Sequence, residues 1–294
     1  MTTVLRYAID AISLGAMDAL IALGLGLVFG LMRLVNFAHG DLVTTGAYAL
    51  FFLAGVSFGI ALPLMLVIVV VLALVMERVA FRPLRDADPM TLLVTSFSLS
   101  YLLQNLDTII FNSRTKSIAL PNFLSNQFTV GSLQIPNLDI VTIGVTVALL
   151  LGLRFFFAHT PLGLQILAAA SDFSMARLLG VRANRVIAVA FGLSGLLAGV
   201  VAFTLIAQLG DVTPSFGIQP VLIGFAGVII GGMGSLVGAS LGGFLLGVTT
   251  IVLQASLPLT ARPFRDAFLF SIVILFLLLR PQGLVSSSYV VERA

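Results

Sequence analysis

The groups with the greatest chemical capacity lie in RLVNFAHGD, residues 33–41, where Arg33, Asn36, His39 and Asp41 sit between two apolar runs. An imidazole close to a carboxylate could move a proton, ligate a metal or line a polar passage. The first two uses find no support elsewhere in the chain. The second histidine, His159, is remote, and neither histidine has carboxylate partners at metal-ligand spacing, so neither a zinc site nor a catalytic triad can be assembled. The single lysine, Lys116, follows FNSRT, so no phosphate-binding G-x-x-x-x-G-K-[ST] loop can be written and this chain is not expected to hydrolyse ATP. The absence of cysteine excludes disulfides, thiolate metal sites and a thiol nucleophile. The expectation is therefore no enzyme, no catalytic or metal-ligating residue, and no cofactor held by this chain.

The elements that must position these polar groups follow from composition. Of 294 residues, 59% are hydrophobic and 9% charged, and the mean hydropathy is +1.16. A soluble domain devotes about a quarter of its residues to charge. So few charges cannot coat a globular surface, and the surface must meet lipid. Although the net charge is +3, the basic residues are scattered between apolar runs, so a nucleic-acid partner is not expected.

Crossing a bilayer takes roughly 20 apolar residues as a helix, and only helices or closed barrels satisfy the backbone there. The apolar runs are continuous rather than alternating, which selects helices. They fall at 11–32, 42–56, 60–76, 92–111, 140–157, 186–208, 219–232, 236–257 and 265–280. The fold class is accordingly an all-α integral membrane protein, a polytopic bundle of about 8–9 spans. The runs 42–56 and 219–232 are short, and each adjoins a glycine-containing polar break, RLVNFAHGD or IIGGMGS. No linker interrupts the chain, so residues 1–294 read as one domain. At the N-terminus Arg6 is balanced by Asp10 and no cleavage site follows, which predicts a retained span rather than a signal peptide.

Orientation follows from the arginines. Arg33, Arg78, Arg82, Arg85, Arg154, Arg177, Arg182, Arg185, Arg280 and Arg293 fall on one side, and Arg6, Arg114, Lys116, Arg262 and Arg265 on the other. The positive-inside rule then places the N-terminus outside, the C-terminus in the cytoplasm, and 112–139 as the main external loop. Segment 160–181, TPLGLQILAAASDFSMARLLGV, becomes cytoplasmic. Asp172, Ala176 and Gly180 recur there every fourth residue, which on one continuous helix would place an acid and two small residues on a common face. Residues 160–176 carry no Lys or Arg, unlike a helix lying on a membrane surface, so this face is expected to dock a protein.

Several ordered blocks together resemble one family. ALIALGLGLVFGLMRLVNFAHGDLVTTGAY (19–48), ERVAFRPLR (77–85), segment 160–181, GGMGSLVGASLGGFLLG (231–247) and RDAFLFSIVILFLLLRPQGL (265–284) are similar to the membrane permease subunits of branched-chain amino acid ABC importers. Asp18 departs from that family's pattern, which has a neutral residue there. The resemblance implies two cytoplasmic ATP-binding subunits that carry the ATP, a second permease (a related chain or another copy), an extracytoplasmic substrate-binding protein, and residence in the bacterial inner membrane. It also makes 160–181 the segment coupled to the ATPase, with Ala169, Asp172, Ala176 and Gly180 as contact residues.

Two readings of the polar breaks follow. In the local one, Gly40 adopts a positive φ and Asp41 caps a helix beginning at Leu42. In the functional one, Asn36, His39, Gly40 and Asp41 line a translocation route at mid-membrane, faced by a second break at Gly231, Gly232 and Gly234. A capped break can serve both. The isolated pairs Gly26/Gly30, Gly195/Gly199 and Gly243/Gly247 are expected to pack helices closely. Asp18 and Asp107 lie within predicted spans, where an ionised carboxylate costs several kcal/mol unless it meets protein or water. They are expected to reach water near the outer surface. As proton or cation sites they would instead mark a stand-alone secondary transporter. Import of urea, amides or another amino acid is the alternative within the family.

Overall fold

A computed structural model describes residues 2–85, 87–118, 121–130 and 133–285. Each of the nine apolar runs is a helix. In chain order the α-helices of the described residues are α1 (Thr2–Met32), α2 (His39–Phe52), α3 (Phe58–Met76), α4 (Pro89–Phe111), the four-residue α5 (Asn122–Ser125), α6 (Asn137–His159), α7 (Pro161–Ser171), α8 (Phe173–Leu178), α9 (Ala183–Leu209), α10 (Ile218–Gly231), α11 (Leu236–Ser256) and α12 (Arg265–Leu279), of which α5, α7 and α8 lie outside the nine runs. Among the described residues, five helices are long and apolar enough to cross a membrane, at Val4–Met32, Phe58–Leu84, Asn137–His159, Ala183–Leu209 and Leu236–Ser256. With the remaining four apolar helices they form a polytopic all-α membrane bundle.

Helix starts follow local chemistry. Thr160, Asp172 and Ser235 each accept a hydrogen bond from the backbone N–H three residues on, at 3.0, 2.8 and 3.0 Å, which satisfies one of the free donors at a helix N-terminus. Pro89 and Pro161 stand in first turns, where no N–H is needed. Among the described residues, strands are confined to short antiparallel pairs. The pair β1 (Lys116–Ser117) and β4 (Asp211–Val212) ties the 112–139 connection to the end of α9, and β2 (Gln127–Val130) pairs with β3 (Leu133–Pro136) inside that connection. Residues 119–120 and 131–132 of this loop, and Arg293 in the tail, lie outside the described residues.

Helices α1 and α9 form the interior, while α3 and α6 are mostly exposed and equally apolar. That pattern is what lipid imposes: a helix facing hydrocarbon and one buried in protein want the same side chains, so amphipathicity disappears. Close backbone approach then organises the packing. On the α1–α11 seam, a Cβ at Gly26 would lie 2.9 Å from the Ala239 Cβ, and one at Gly247 would lie 2.5 Å from the Gly15 Cα. On the α3–α9 seam, a Cβ at Gly195 or Gly199 would come within 2.7 or 2.8 Å of Ala73 or Leu66. Small-residue packing accounts for these glycines and for Gly243, while Gly30 leaves only ordinary contact, 3.7 Å from Ala170.

Candidate functional site

The first polar break is real and deep. The chain leaves α1 at Arg33, whose φ of 53° turns it sharply, and runs without helix to α2 at His39. The imidazole packs against Gly24 of α1, and Ser194 Oγ of α9 lies 3.1 Å from its Nδ1. Both neighbours are well inside long helices, so α2 begins at depth. Its 14 residues span only about 21 Å at 1.5 Å per residue, less than the hydrocarbon thickness.

The second break differs from its sequence prediction. Gly231, Gly232 and Gly234 stand at the end of α10, with Gly232 at φ 106° and Gly234 at φ 99°. Leu284 N and Val285 N donate to Ile230 O (2.8 Å) and Gly231 O (3.1 Å), so this glycine turn is clasped by the chain after α12. It lies at the opposite end of the 14-residue α10 from Gly217, packed on Gly238 and Val285, and does not face the first break. What faces the first break is the start of α10. A Cβ on Gly40 would sit 2.9 Å from the Gly217 carbonyl carbon and 3.3 Å from the Val221 Cβ. Thr44 links the two helix starts: its hydroxyl donates to Gly40 O (3.2 Å) and accepts from Gly217 N (2.9 Å). Helix α10 is short, 14 residues, and the residue before its start, Gly217, is buried against Gly40. The polar break before it is the segment from Thr213 to Gly217.

The local readings of Gly40 and Asp41 are corrected with it. The positive φ belongs to Arg33, and Gly40 is required by the crossing with Gly217. Helix α2 starts three residues before Leu42, with Ala38 at the cap position, so Asp41 lies inside the first turn and caps nothing. Its carboxylate is 2% exposed, and Oδ2 has no partner.

Gly40 and Asp41 line a cavity of about 410 Å³ between α2, α4 and α10, together with Phe37, Phe97, Ser100, Tyr101, Gln104, Ile218, Val221 and Leu222. Phe37 stacks on Phe97, with ring centroids 4.1 Å apart. Helix α4 contributes a polar stripe. Ser96, Ser100, Gln104 and Asp107, spaced 4, 4 and 3, turn one face toward α2. Ser96 Oγ donates to Val35 O (3.0 Å), and Gln104 Nε2 donates to Ser100 Oγ (2.9 Å). The spacing was visible in VTSFSLSYLLQNLD, but only Asp107 attracts attention by residue type. Asn36 and His39 do not line this cavity. Both are buried, His39 behind α2 and Asn36 with both amide atoms unpartnered.

Asp18 and Asp107 do not reach water through this chain, contrary to expectation, being 2% and 8% exposed with Oδ2 of each unpartnered. Asp18 is enclosed because α11 crosses it at Gly243, whose added Cβ would lie 2.8 Å from the Asp18 carbonyl carbon.

Segment 160–181 is two helices, α7 and α8, broken at Asp172, whose extended backbone (φ −145°, ψ 102°) lets its side chain cap α8. The common face of Asp172, Ala176 and Gly180 therefore does not exist. Ala169 and Ala176 are buried in the chain's own core, and Gly180 ends α8 with φ 88°. The large apolar side chains presented outward include Leu164, Leu167, Met175, Leu178 and Leu179, and Asp172 is exposed beside them.

Residues 7–279 match the family model described as branched-chain amino acid transport system / permease component. The chain is 32% identical to the high-affinity branched-chain amino acid transport system permease protein BraD of Pseudomonas aeruginosa, over 96% of this chain and 95% of that protein. It is likewise 32% identical to LivH of Escherichia coli K12, over the same shares. The probable LivH of Methanocaldococcus jannaschii is 26% identical over 90% of this chain and 87% of its own length. Among solved structures, PsaBC from Streptococcus pneumoniae in complex with Fab superposes with a TM-score of 0.50 at 15% identity, covering 94% of this chain and 93% of that one. That likeness is one of fold.

Proposed function

Because the chain belongs to the family of branched-chain amino acid transport system permease components, we propose that it forms half of the transmembrane pathway of an ATP-driven importer for branched-chain or other hydrophobic amino acids. The observation that carries this reading is the meeting of two half-depth helix starts, Gly40 of α2 and Gly217 before α10, beside a cavity holding a buried, unpaired carboxylate. Irregular backbone at membrane depth is tolerated where it is enclosed by protein or lines a cavity.

The cavity opens between Phe97, Tyr101, Ile218 and Leu222, all of them outward-facing. A carboxylate beneath such an opening would be costly against hydrocarbon. We assign this face to the second permease subunit, a related chain or another copy, with the solute route between the two. The remaining partners are two cytoplasmic ATP-binding subunits and an extracytoplasmic substrate-binding protein. The arginine bias puts the N-terminus outside the bacterial inner membrane and the C-terminus in the cytoplasm.

Contact with the ATPase falls on the outward leucines of α7 and α8, Leu164, Leu178 and Leu179 with Met175, rather than on Ala169 or Ala176. ATP-driven closure of the ATPases would push this pair of short helices and shift the bundle between inward- and outward-open states.

The test is uptake by the purified complex in proteoliposomes, with binding protein and radiolabelled L-leucine outside and ATP inside. ATP-dependent accumulation is expected. Accumulation driven by a proton or sodium gradient without ATP would replace the importer with a secondary transporter using Asp18 or Asp107. ATP-dependent uptake of urea or amides in place of leucine would move the substrate within the family.

A further inference from the structure

The α2–α4–α10 cavity has a composition that selects a ligand. Its lining contains one ionisable acid, Asp41, the neutral polar side chains Ser100, Tyr101 and Gln104, and otherwise apolar side chains and Gly40. No Lys, Arg or His is among the lining residues. Asp41 is 2% exposed and its Oδ2 has no partner, so a carboxyl group with a free oxygen stands at the wall of a space large enough for a small solute. Ser100 and Gln104 lie close to the same carboxylate. Gln104 donates to Ser100, which leaves the Ser100 hydroxyl proton free for an acceptor. A buried charge lacking a partner in its own chain is strongly disfavoured unless a counter-charge arrives.

On these grounds we propose that this cavity is the transmembrane seat of the solute's primary ammonium group. Asp41 is its counter-charge, and Phe37, Phe97, Val221 and Leu222 hold the aliphatic part. The proposal rests on the reading of this face as the solute route. Each part has a physical reason. A primary ammonium carries three donors and one charge, which suits a carboxylate backed by Ser100 and Gln104. The stacked pair Phe37–Phe97 offers an apolar wall whose aromatic faces also favour a nearby cation. A metal ion is a poorer match, because no group of three or more His, Asp or Glu side chains converges among the described residues. Asp41 also stands in the first turn of α2, where the helix dipole favours a negative charge and offsets part of the cost of burying it.

The chain contains no cysteine, so Ser100→Cys places a single thiol on the cavity wall without crowding it. The full transporter carrying this variant is treated with two methanethiosulfonates of similar size, one bearing a 2-aminoethyl cation and the other a 2-sulfonatoethyl anion. Each rate is normalised to that of a small free thiol. The cation is expected to react about tenfold faster than the anion, as one partly shielded charge at close range would produce. Asp41→Asn should bring the ratio near one, and Asp41→Glu should retain it. In Ser100→Cys alone, 3-methylbutylamine should slow modification, whereas 4-methylpentanoate should not.

Failure takes distinguishable forms. If neither reagent reacts, the cavity is sealed from water and the solute-route reading falls with the proposal. If both react without charge preference, or if 4-methylpentanoate or sodium chloride protects while the amine does not, the route stands and the ammonium seat is overturned. The reagent and protection arms need only Ser100→Cys, so they decide even where Asp41→Asn does not fold.

Discussion

The crossing of Gly40 over Gly217 makes a quantitative prediction, because the same substitution has opposite consequences at two glycines of this chain. Gly40→Ala introduces no backbone strain, since Gly40 is not among the glycines with positive φ. Its cost is steric alone. The new Cβ would lie 2.9 Å from the Gly217 carbonyl carbon, with the carbonyl oxygen closer still and the Val221 Cβ at 3.3 Å. The obstacle is backbone, so relief requires α10 to move away from α2, and the Thr44 bridge between them must lengthen or break. Overpacking of this kind costs about 1–3 kcal/mol, and a broken bridge adds about 1 kcal/mol. Gly152 of α6 supplies the control, for an added Cβ there meets nothing within 4 Å. Gly152→Ala should be neutral or gain up to about 1 kcal/mol from helix propensity. The chain has no tryptophan or cysteine, so intrinsic fluorescence and thiol-dye assays are poorly suited. Thermal loss of the monodisperse peak of a fluorescent-protein fusion in mild detergent reads the same quantity. Gly40→Ala should lower the midpoint by several degrees and depress uptake, while Gly152→Ala leaves uptake unchanged and holds or raises the midpoint. An unshifted midpoint for Gly40→Ala would refute the claim that close approach of the two half-depth helices requires glycine there.

Other consequences can be checked independently. Thr44→Val keeps the shape of a fully buried side chain but strands the Gly217 N–H, so it should cost about 1–3 kcal/mol and weaken the fusion protein in the same assay; an unchanged midpoint would remove the bridge from the account. A cysteine at Thr115 should react with an impermeant thiol reagent applied outside intact cells and one at Ser171 should not, the reverse pattern inverting the orientation. Leu178→Glu should leave membrane insertion and thermal stability intact yet reduce co-purified ATPase subunit several-fold, because Leu178 is 81% exposed. Ala176→Trp, at 3% exposure, should instead destabilise the permease itself by roughly 1–3 kcal/mol; a stable variant that has lost only the ATPase would restore Ala176 to the docking surface.

Much of the bundle was legible because hydrocarbon imposes a simple rule on sequence. Each of the nine apolar runs is a helix, and the described residues of the polar 112–139 stretch hold the turns and short elements that Pro121, Pro136 and its asparagines imply, up to the start of α6 at Asn137. Depth within the membrane was not legible. Three glycines in GGMGS look more like a break than TPSFG does, yet the GGMGS turn is clasped at the end of α10 by the chain after α12, while TPSFG leads α10 in beside α2. Only tertiary contact distinguishes a glycine that permits a turn from one that permits two helix starts to touch. The continuous face assumed for Asp172, Ala176 and Gly180 failed for a local reason. Aspartate followed by Phe-Ser-Met can cap a new helix as readily as it can sit within one, and the cap prevailed.

The distribution of packing gives the site its physical logic. Helix α1 is held by glycine-spaced contacts along α11 and enclosed by α9 and α10, and both half-depth helix starts are anchored against this block, through His39 on α1 and α9 and through Gly217 on Gly40. Helix α4 is different. It packs chiefly along α2 and the π-helical turn Glu77–Phe81, yet it supplies the polar stripe of Ser96, Ser100, Gln104 and Asp107. One wall of the cavity is therefore a rigid seam carrying the carboxylate, and the other is a thinly packed helix carrying its neutral hydrogen-bonding partners. Elements with few buried contacts open at the lowest free-energy cost. A change of state in the transporter can thus draw α4 and its serine and glutamine away from Asp41 while the helix starts stay fixed, which would weaken the hold on a bound ammonium without moving the carboxylate.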